Sequence, residues 1–146
     1  MGLTIDSSVF VDSIIPKIKE RHSKSKNFIK LSVELEENIF EPRIMLIELA
    51  GVLSRLKPVE EIREILSIAE FVEILSEEEI FATAINTAFD THCRAVDAYF
   101  ISTAKVTNSI LITNDKIMAK NANDCGIEVY YLVEDFDRAV NRLTGK

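Results

Sequence analysis

The sequence predicts one α/β domain in which a central, mostly parallel sheet is covered by helices on both faces. Three observations lead there. Short apolar runs of strand length alternate with longer segments of helical period along most of the chain. The runs at residues 3–5 and 109–113 are each followed closely by an acid, Asp6 and Asp115. No internal repeat or linker-like stretch interrupts residues 1–146, so a single domain accounts for them.

In chain order, residues 3–5 make a short strand ending at Asp6. A helix then begins near Val9 and continues through Ile14, Ile15 and Ile18, with Pro16 as a kink or a break. Residues 23–35 form a second helix. Ile39 and Phe40 form a strand ahead of Glu41-Pro42, because a residue before Pro prefers extended geometry. Residues 43–56 are helical, and Pro58 suits the first turn of a helix through Ile62, Ile65, Leu66 and Ala69. The apolar run 71–75 follows as a strand. Ser76 with Glu79 makes a capping box for a helix reaching Phe89, and residues 95–107 make another. Residues 109–113 are the clearest buried strand. A short helix runs from Asp115 to Asn123, Gly126 turns the chain, and a strand over 127–132 precedes a terminal helix over 134–143.

Composition narrows the class. At 146 residues, 47% hydrophobic and 28% charged, with three Pro and four Gly, the chain has the profile of a globular domain and not of a disordered one. Cys93 and Cys125 form no Cys-x-x-Cys, and His22 and His92 stand at no zinc-ligand spacing, so a structural zinc site is not expected. The N-terminus lacks a charged start followed by a long apolar core, and no apolar run approaches the roughly 20 residues of a membrane span. A cytoplasmic protein is expected. The net charge of -7 argues against a simple polyanion binder. Setting aside the four acids discussed next leaves -3, and a bound divalent cation would supply positive charge where a phosphate docks.

Ligands of an open parallel sheet bind beyond the carboxyl ends of its strands, where the strand order reverses. Asp6 and Asp115 follow two such strands; if those strands are neighbours, both carboxylates reach one crevice. Glu48 interrupts an apolar helix, with Ile44 and Val52 four residues to either side and Arg55 about two turns away. Asp97 begins a helix whose own face continues as Phe100, Ile101 and Ala104. Each acid alone has an ordinary structural role: turn former for Asp6 and Asp115, helix cap for Asp97, partly solvated helix residue for Glu48. Four acids around one crevice would repel strongly, and hard divalent cations relieve that repulsion.

The segments Ile5-Asp6-Ser7-Ser8-Val9-Phe10-Val11-Asp12, Ile47-Glu48-Leu49, Val96-Asp97-Ala98 and Ile112-Thr113-Asn114-Asp115 together resemble the PIN-domain family in order and spacing. The likeness covers essentially the whole chain, and its size is similar to that of VapC-type toxins. The resemblance implies a three-layer α/β/α fold and an Mg2+- or Mn2+-dependent endoribonuclease. Asp6, Glu48, Asp97 and Asp115 then stand at the catalytic and metal-ligating positions. Ser8, Thr113 and Asn114 match supporting positions whose hydroxyl and amide groups would orient a carboxylate or a water, although Thr113 and Asn114 equally suit a turn. Ser7 stands where members often carry Thr. VapC-type toxins are usually paired with a small antitoxin and often dimerise, so RNA, an antitoxin and a second copy are the partners implied.

Metal-assisted, in-line hydrolysis of a phosphodiester needs no covalent protein intermediate, and no Ser-His-Asp or Cys-His constellation stands out. His92 and Cys93 read as packing or surface residues. A phosphoacceptor domain would want paired acids after the first strand and a haloacid-dehalogenase-like phosphatase Asp-x-Asp; Asp6-Ser7-Ser8 supplies neither. A catalytically silent PIN-like interaction module and an rRNA-processing nuclease stay open. Between residues 17 and 30, Lys17, Lys19, Arg21, Lys24, Lys26 and Lys30 face only Glu20, a local excess of five positive charges. Lys17, Lys19, Arg21, Lys24 and Lys26 are candidate contacts to an RNA backbone, against the ordinary role of a solvated helical face.

Overall fold

The computed structural model describes residues 2–146. Its five strands are β1 (Gly2–Ile5), β2 (Asn38–Pro42), β3 (Glu73–Leu75), β4 (Ile110–Thr113) and β5 (Val129–Tyr131). They pair in parallel throughout, in the order β3-β2-β1-β4-β5. Eight helices among the described residues flank the sheet: α1 (Ser7–Ile14), α2 (Lys19–Glu34), α3 (Ile44–Leu53), α4 (Val59–Leu66), α5 (Glu77–Thr91), α6 (Ala95–Thr107), α7 (Lys116–Asp124) and α8 (Leu132–Thr144). This is the three-layer α/β/α arrangement, with the sheet wholly parallel.

The central strands β1 and β4 are buried at every residue. A parallel strand covered on both faces has no solvent side, which is why these segments read as continuous apolar runs without alternation. Leu3, Ile5, Leu111 and Ile112 pack with Phe28 of α2, with Phe100 and Ile101 of α6 and with Met118 of α7 in one core. On α3, Met45, Leu49 and Leu53 recur every fourth residue and bury one face of the helix. Glu48 lies beside that face, partly exposed.

Several element ends differ from expectation, each for a local reason. The first helix stops at Ile14, and Ile15 is extended (φ -102, ψ 109) ahead of Pro16, so the proline breaks the helix and does not kink it. The next helix already starts at Lys19. Pro58 is extended (ψ 153) and precedes α4, outside its first turn. The strand expected over 71–75 shortens to Glu73–Leu75, because Phe71 follows a 3-10 turn (Ser67–Glu70) and is 82% exposed. The strand over 127–132 shortens to Val129–Tyr131, since Leu132 already opens α8 and is buried in the core. The capping box forms at α5, where the Ser76 N–H donates to Glu79 Oε2 at 2.7 Å. Gly126 takes φ +76 just beyond α7, a conformation that favours glycine. Among the described residues no helix is long and apolar enough to cross a membrane.

Candidate active site

The strand order runs outward in opposite directions from β1 and β4, which are neighbours in register Leu3↔Ile110, Thr4↔Leu111 and Ile5↔Ile112. Their carboxyl ends form the switch point at which such sheets open a crevice. Asp6 continues the ladder by donating its N–H to Ile112 O at 2.9 Å. A cleft of about 290 Å3 lies there, lined by Asp6, Glu48, Asp97 and Asp115 and also by Ser8, Asp12, Arg21 and Arg94. The four candidate acids, from four separate parts of the chain, thus meet in one place, with Asp12 as a fifth.

Asp6 is buried and held by two hydroxyl donors, Ser8 Oγ at 2.6 Å and Thr113 Oγ1 at 2.9 Å, both on Oδ2. Its Oδ1 accepts no hydrogen bond among the described residues. The Ser8 hydroxyl also accepts the Asn114 N–H at 3.0 Å, and Thr113 Oγ1 accepts the Asp115 N–H at 2.9 Å. One serine and one threonine therefore lock the loop after β4 onto the first strand. Asp115 is the N-cap of α7: its Oδ1 accepts from the N–H groups of Ile117 and Met118 at 2.9 and 3.2 Å, and Oδ2 accepts none among the described residues. Turn formation and cleft lining coexist in this residue, because a carboxylate has two oxygens.

Asp97 lies in the first turn of α6 and is not its cap; Arg94 is the residue at the N-cap. The first turn favours an acid, since the helix dipole is positive there. Burial pushes the Asp97 carboxyl above its ordinary value, against the nearby Arg94 charge and with repulsion from Asp115. Asp6 is pushed from 3.8 to about 6, chiefly by burial; its two hydroxyl donors oppose the shift, while the charges of Glu48 and Asp97 add to it. Each acid is felt by at least one other. Arg55 is exposed beyond the end of α3.

The donor set bears on which cation the cleft would take. Among the described residues no three acids, histidines or cysteines are arranged as a ready-made cage for an ion. That is the wrong geometry for a structural zinc site but not for Mg2+ or Mn2+. Mg2+ usually keeps several waters and uses one or two carboxylates plus substrate oxygens. A cleft of about 290 Å3 has room for a cation that keeps several of its waters. All-oxygen ligands and uncommitted atoms at Asp6 Oδ1 and Asp115 Oδ2 therefore fit a hard, partly hydrated cation.

Two acids, Asp12 in the cleft and Glu41 beside it, were assigned no role from the sequence. Asp12 Oδ2 accepts from Arg21 Nε at 3.0 Å and from Asn114 Nδ2 at 2.8 Å, and Asn114 Nδ2 also donates to Ser25 Oγ at 2.8 Å. Asp12 lies one helical turn beyond Ser8 on α1, a spacing that could have flagged it. Glu41 is fully buried on β2, and its Oε1 accepts the Ile5 N–H at 2.6 Å in the seam between β1 and β2. Burial raises its carboxyl well above the usual range, and the charge of Asp6 adds to the effect. Alternation with the buried Ile39 was the available signal for Glu41.

Of the basic candidates, Arg21 lines the cleft. Lys24 donates to Val133 O at 2.9 Å and pairs with Glu20 at 2.8 Å, tying α2 to α8. Lys17, Lys19 and Lys26 are exposed. His22 meets Asp12 O through Nδ1 at 2.8 Å, and His92 closes α5 in a left-handed conformation, φ 59.

Known structures share this architecture. FitAcB from Neisseria gonorrhoeae is 18% identical, with 88% of this chain and 96% of that chain covered and a TM-score of 0.65. VapBC2 from Rickettsia felis, bound to a DNA fragment from its promoter, is also 18% identical, covering 89% and 98% with a TM-score of 0.67. PAE2754 from Pyrobaculum aerophilum is 13% identical, covering 100% and 91% with a TM-score of 0.65. At such identities the likeness is one of fold. No curated protein matches the chain at a significant level. A sequence model of the PIN domain matches residues 3–124, which include all four cleft acids. The chain therefore belongs to the PIN-domain family.

Proposed function

We propose that this protein is an Mg2+- or Mn2+-dependent endoribonuclease, the toxin of a toxin–antitoxin pair. The observation that carries this is the convergence of Asp6, Glu48, Asp97 and Asp115, from four separated elements, on the cleft at the switch point. PIN domains are generally nucleases, and FitAB and VapBC proteins are among the similar structures. A bound divalent cation would supply charge for a phosphate and would acidify a water for attack on it.

The chain's own residues do the positioning. Ser8 and Thr113 direct Asp6 by holding one of its oxygens, and the Asn114–Asp12–Ser25 bonds fix the loop that carries Asp115. The Ile117 and Met118 N–H groups hold Asp115. Such fixed outer partners commonly contribute 10–100-fold to metal affinity or activity, which motivates the supporting roles of Ser8, Thr113 and Asn114. Arg21, anchored on Asp12 at the cleft wall, is the basic residue of the 17–30 segment best placed to meet an RNA backbone. Phe71, Phe81 and Phe89 are more than half exposed, apolar surface that an antitoxin or a second copy would cover.

One rival reading is a catalytically silent interaction module. Cleavage of mixed single-stranded and structured RNA with Mn2+, with Mg2+ and with EDTA, beside Asp97→Asn, separates them. The expected outcome is metal-dependent cutting that falls by roughly 100-fold or more in the variant, since even outer partners of a metal ligand count for 10–100-fold. Stabilisation of the wild type by neither metal, together with no cutting, would establish the silent module.

A further inference from the structure

Two guanidinium groups line the acidic cleft, and they are held differently. Arg21 is anchored: its Nε and Nη2 lie 3.0 and 2.9 Å from Asp12 Oδ2, and its side chain is 31% exposed. Arg94 is not. It occupies the N-cap of α6 with its side chain 81% exposed, and its Nε lies 3.6 Å from Asp97 Oδ2, beyond hydrogen-bond range. A pair with one end in solvent and no hydrogen bond between its members is weak. Its acid is the opposite case, because the Asp97 side chain is only 8% exposed and cannot turn to solvent. The half of the pair that faces solvent is the arginine.

We infer that Arg94 is an exchangeable counter-ion of the cleft. It pairs with Asp97 while no cation is present, is released when a divalent cation takes Asp97, and then contacts a phosphate of the RNA strand entering the cleft. The inference rests on the nuclease function proposed above. Its physical basis is competition: a divalent cation on Asp97 takes the oxygen that the guanidinium faces and offsets two of the carboxylate charges of the cleft, which weakens the hold on Arg94. Arg94 stands three residues before Asp97 on the same helical surface, so once released it still borders the cleft. Its planar set of donors suits phosphate oxygens. Charge at the cleft wall thereby stays available to substrate only when the metal is in place.

The two halves predict opposite signs for one substitution. Arg94→Gln removes the competitor for Asp97 and so strengthens metal binding without RNA. It also removes a phosphate contact and so weakens RNA binding. A merely structural arginine would lower both or change neither. Mn2+ titration of the RNA-free wild type, Arg94→Gln, Arg94→Lys and Asp97→Asn is the first arm; binding of a mixed-sequence single-stranded RNA in Ca2+ at several salt concentrations is the second.

Arg94→Gln is expected to bind Mn2+ about fivefold more tightly than wild type, the fold-change equivalent to a weak ion pair of about 1 kcal/mol. Its RNA affinity should fall, with the salt slope reduced by about 0.7, as for one lost contact to a single strand. Arg94→Lys should restore most of the slope. Equal or weaker Mn2+ binding by Arg94→Gln, with the wild type binding normally, overturns the counter-ion role and leaves the nuclease proposal standing. Unchanged RNA affinity and slope overturn the phosphate contact. Failure of the wild type to bind Mn2+ at all overturns both the inference and the proposed function.

Discussion

Replacing Asp6 with Asn should stabilise the metal-free protein at neutral pH, although it removes a cleft carboxylate. Asp6 is 4% exposed, and burial lifts its carboxyl from 3.8 to about 6. The folded chain therefore holds this proton more tightly than the unfolded chain does. A difference between 3.8 and about 6 corresponds to about 3 kcal/mol. That contribution is fully present below pH 3.8 and is lost as the pH rises through about 6, where the buried carboxyl ionises. Asparagine resembles the neutral form at every pH. It keeps an acceptor for Ser8 and Thr113, whose preference for the ionised carboxylate is already contained in the value of about 6. The variant should then exceed wild type by about 1–3 kcal/mol at pH 7.5. Urea unfolding of both proteins in EDTA between pH 4 and 8 measures it. The difference between the two curves reports Asp6 together with its repulsion of Glu41, Glu48 and Asp97, which the substitution removes. A difference that does not grow between pH 4 and 7.5, or a variant less stable than wild type at pH 7.5, refutes the reasoning. Adding Mn2+ should reverse the order by stabilising wild type alone.

Two further substitutions test the framework around the cleft. Glu41→Gln keeps the acceptor for the Ile5 N–H and removes a carboxyl held above its ordinary range. The wild type loses stability as the pH climbs toward that raised value, so the variant should show a flatter profile on the alkaline side. An unchanged profile would mean that Glu41 is already ionised in the folded chain. Ser8→Ala removes one donor to Asp6 and the acceptor of the Asn114 N–H, costing about 1–3 kcal/mol for the stranded backbone group. Metal-free unfolding should show that loss, and Ser8→Thr should recover most of it.

The sequence alone determined what depends on neighbours in the chain. Continuous apolar runs marked β1 and β4 because strands covered on both faces need no polar side, and Ser76 with Glu79 marked the start of α5. The same local logic placed Asp6 and Asp115 at strand ends and Glu48 on an apolar helix. Element ends slipped where competing local signals were close in strength, as at Phe71 and Leu132. The tertiary structure decided what depends on which strands pair. The bond from Thr113 Oγ1 to Asp6 spans 107 positions, and the bond from Asn114 Nδ2 to Asp12 spans 102. Hydrophobic periodicity carries no record of such partners, because it reports which face is buried and not against what. Whether Asp97 capped its helix or lined the cleft turned on Arg94 holding the N-cap. That Glu41 lies inside the sheet seam turned on the close approach of β1 and β2, a contact between segments 36 residues apart.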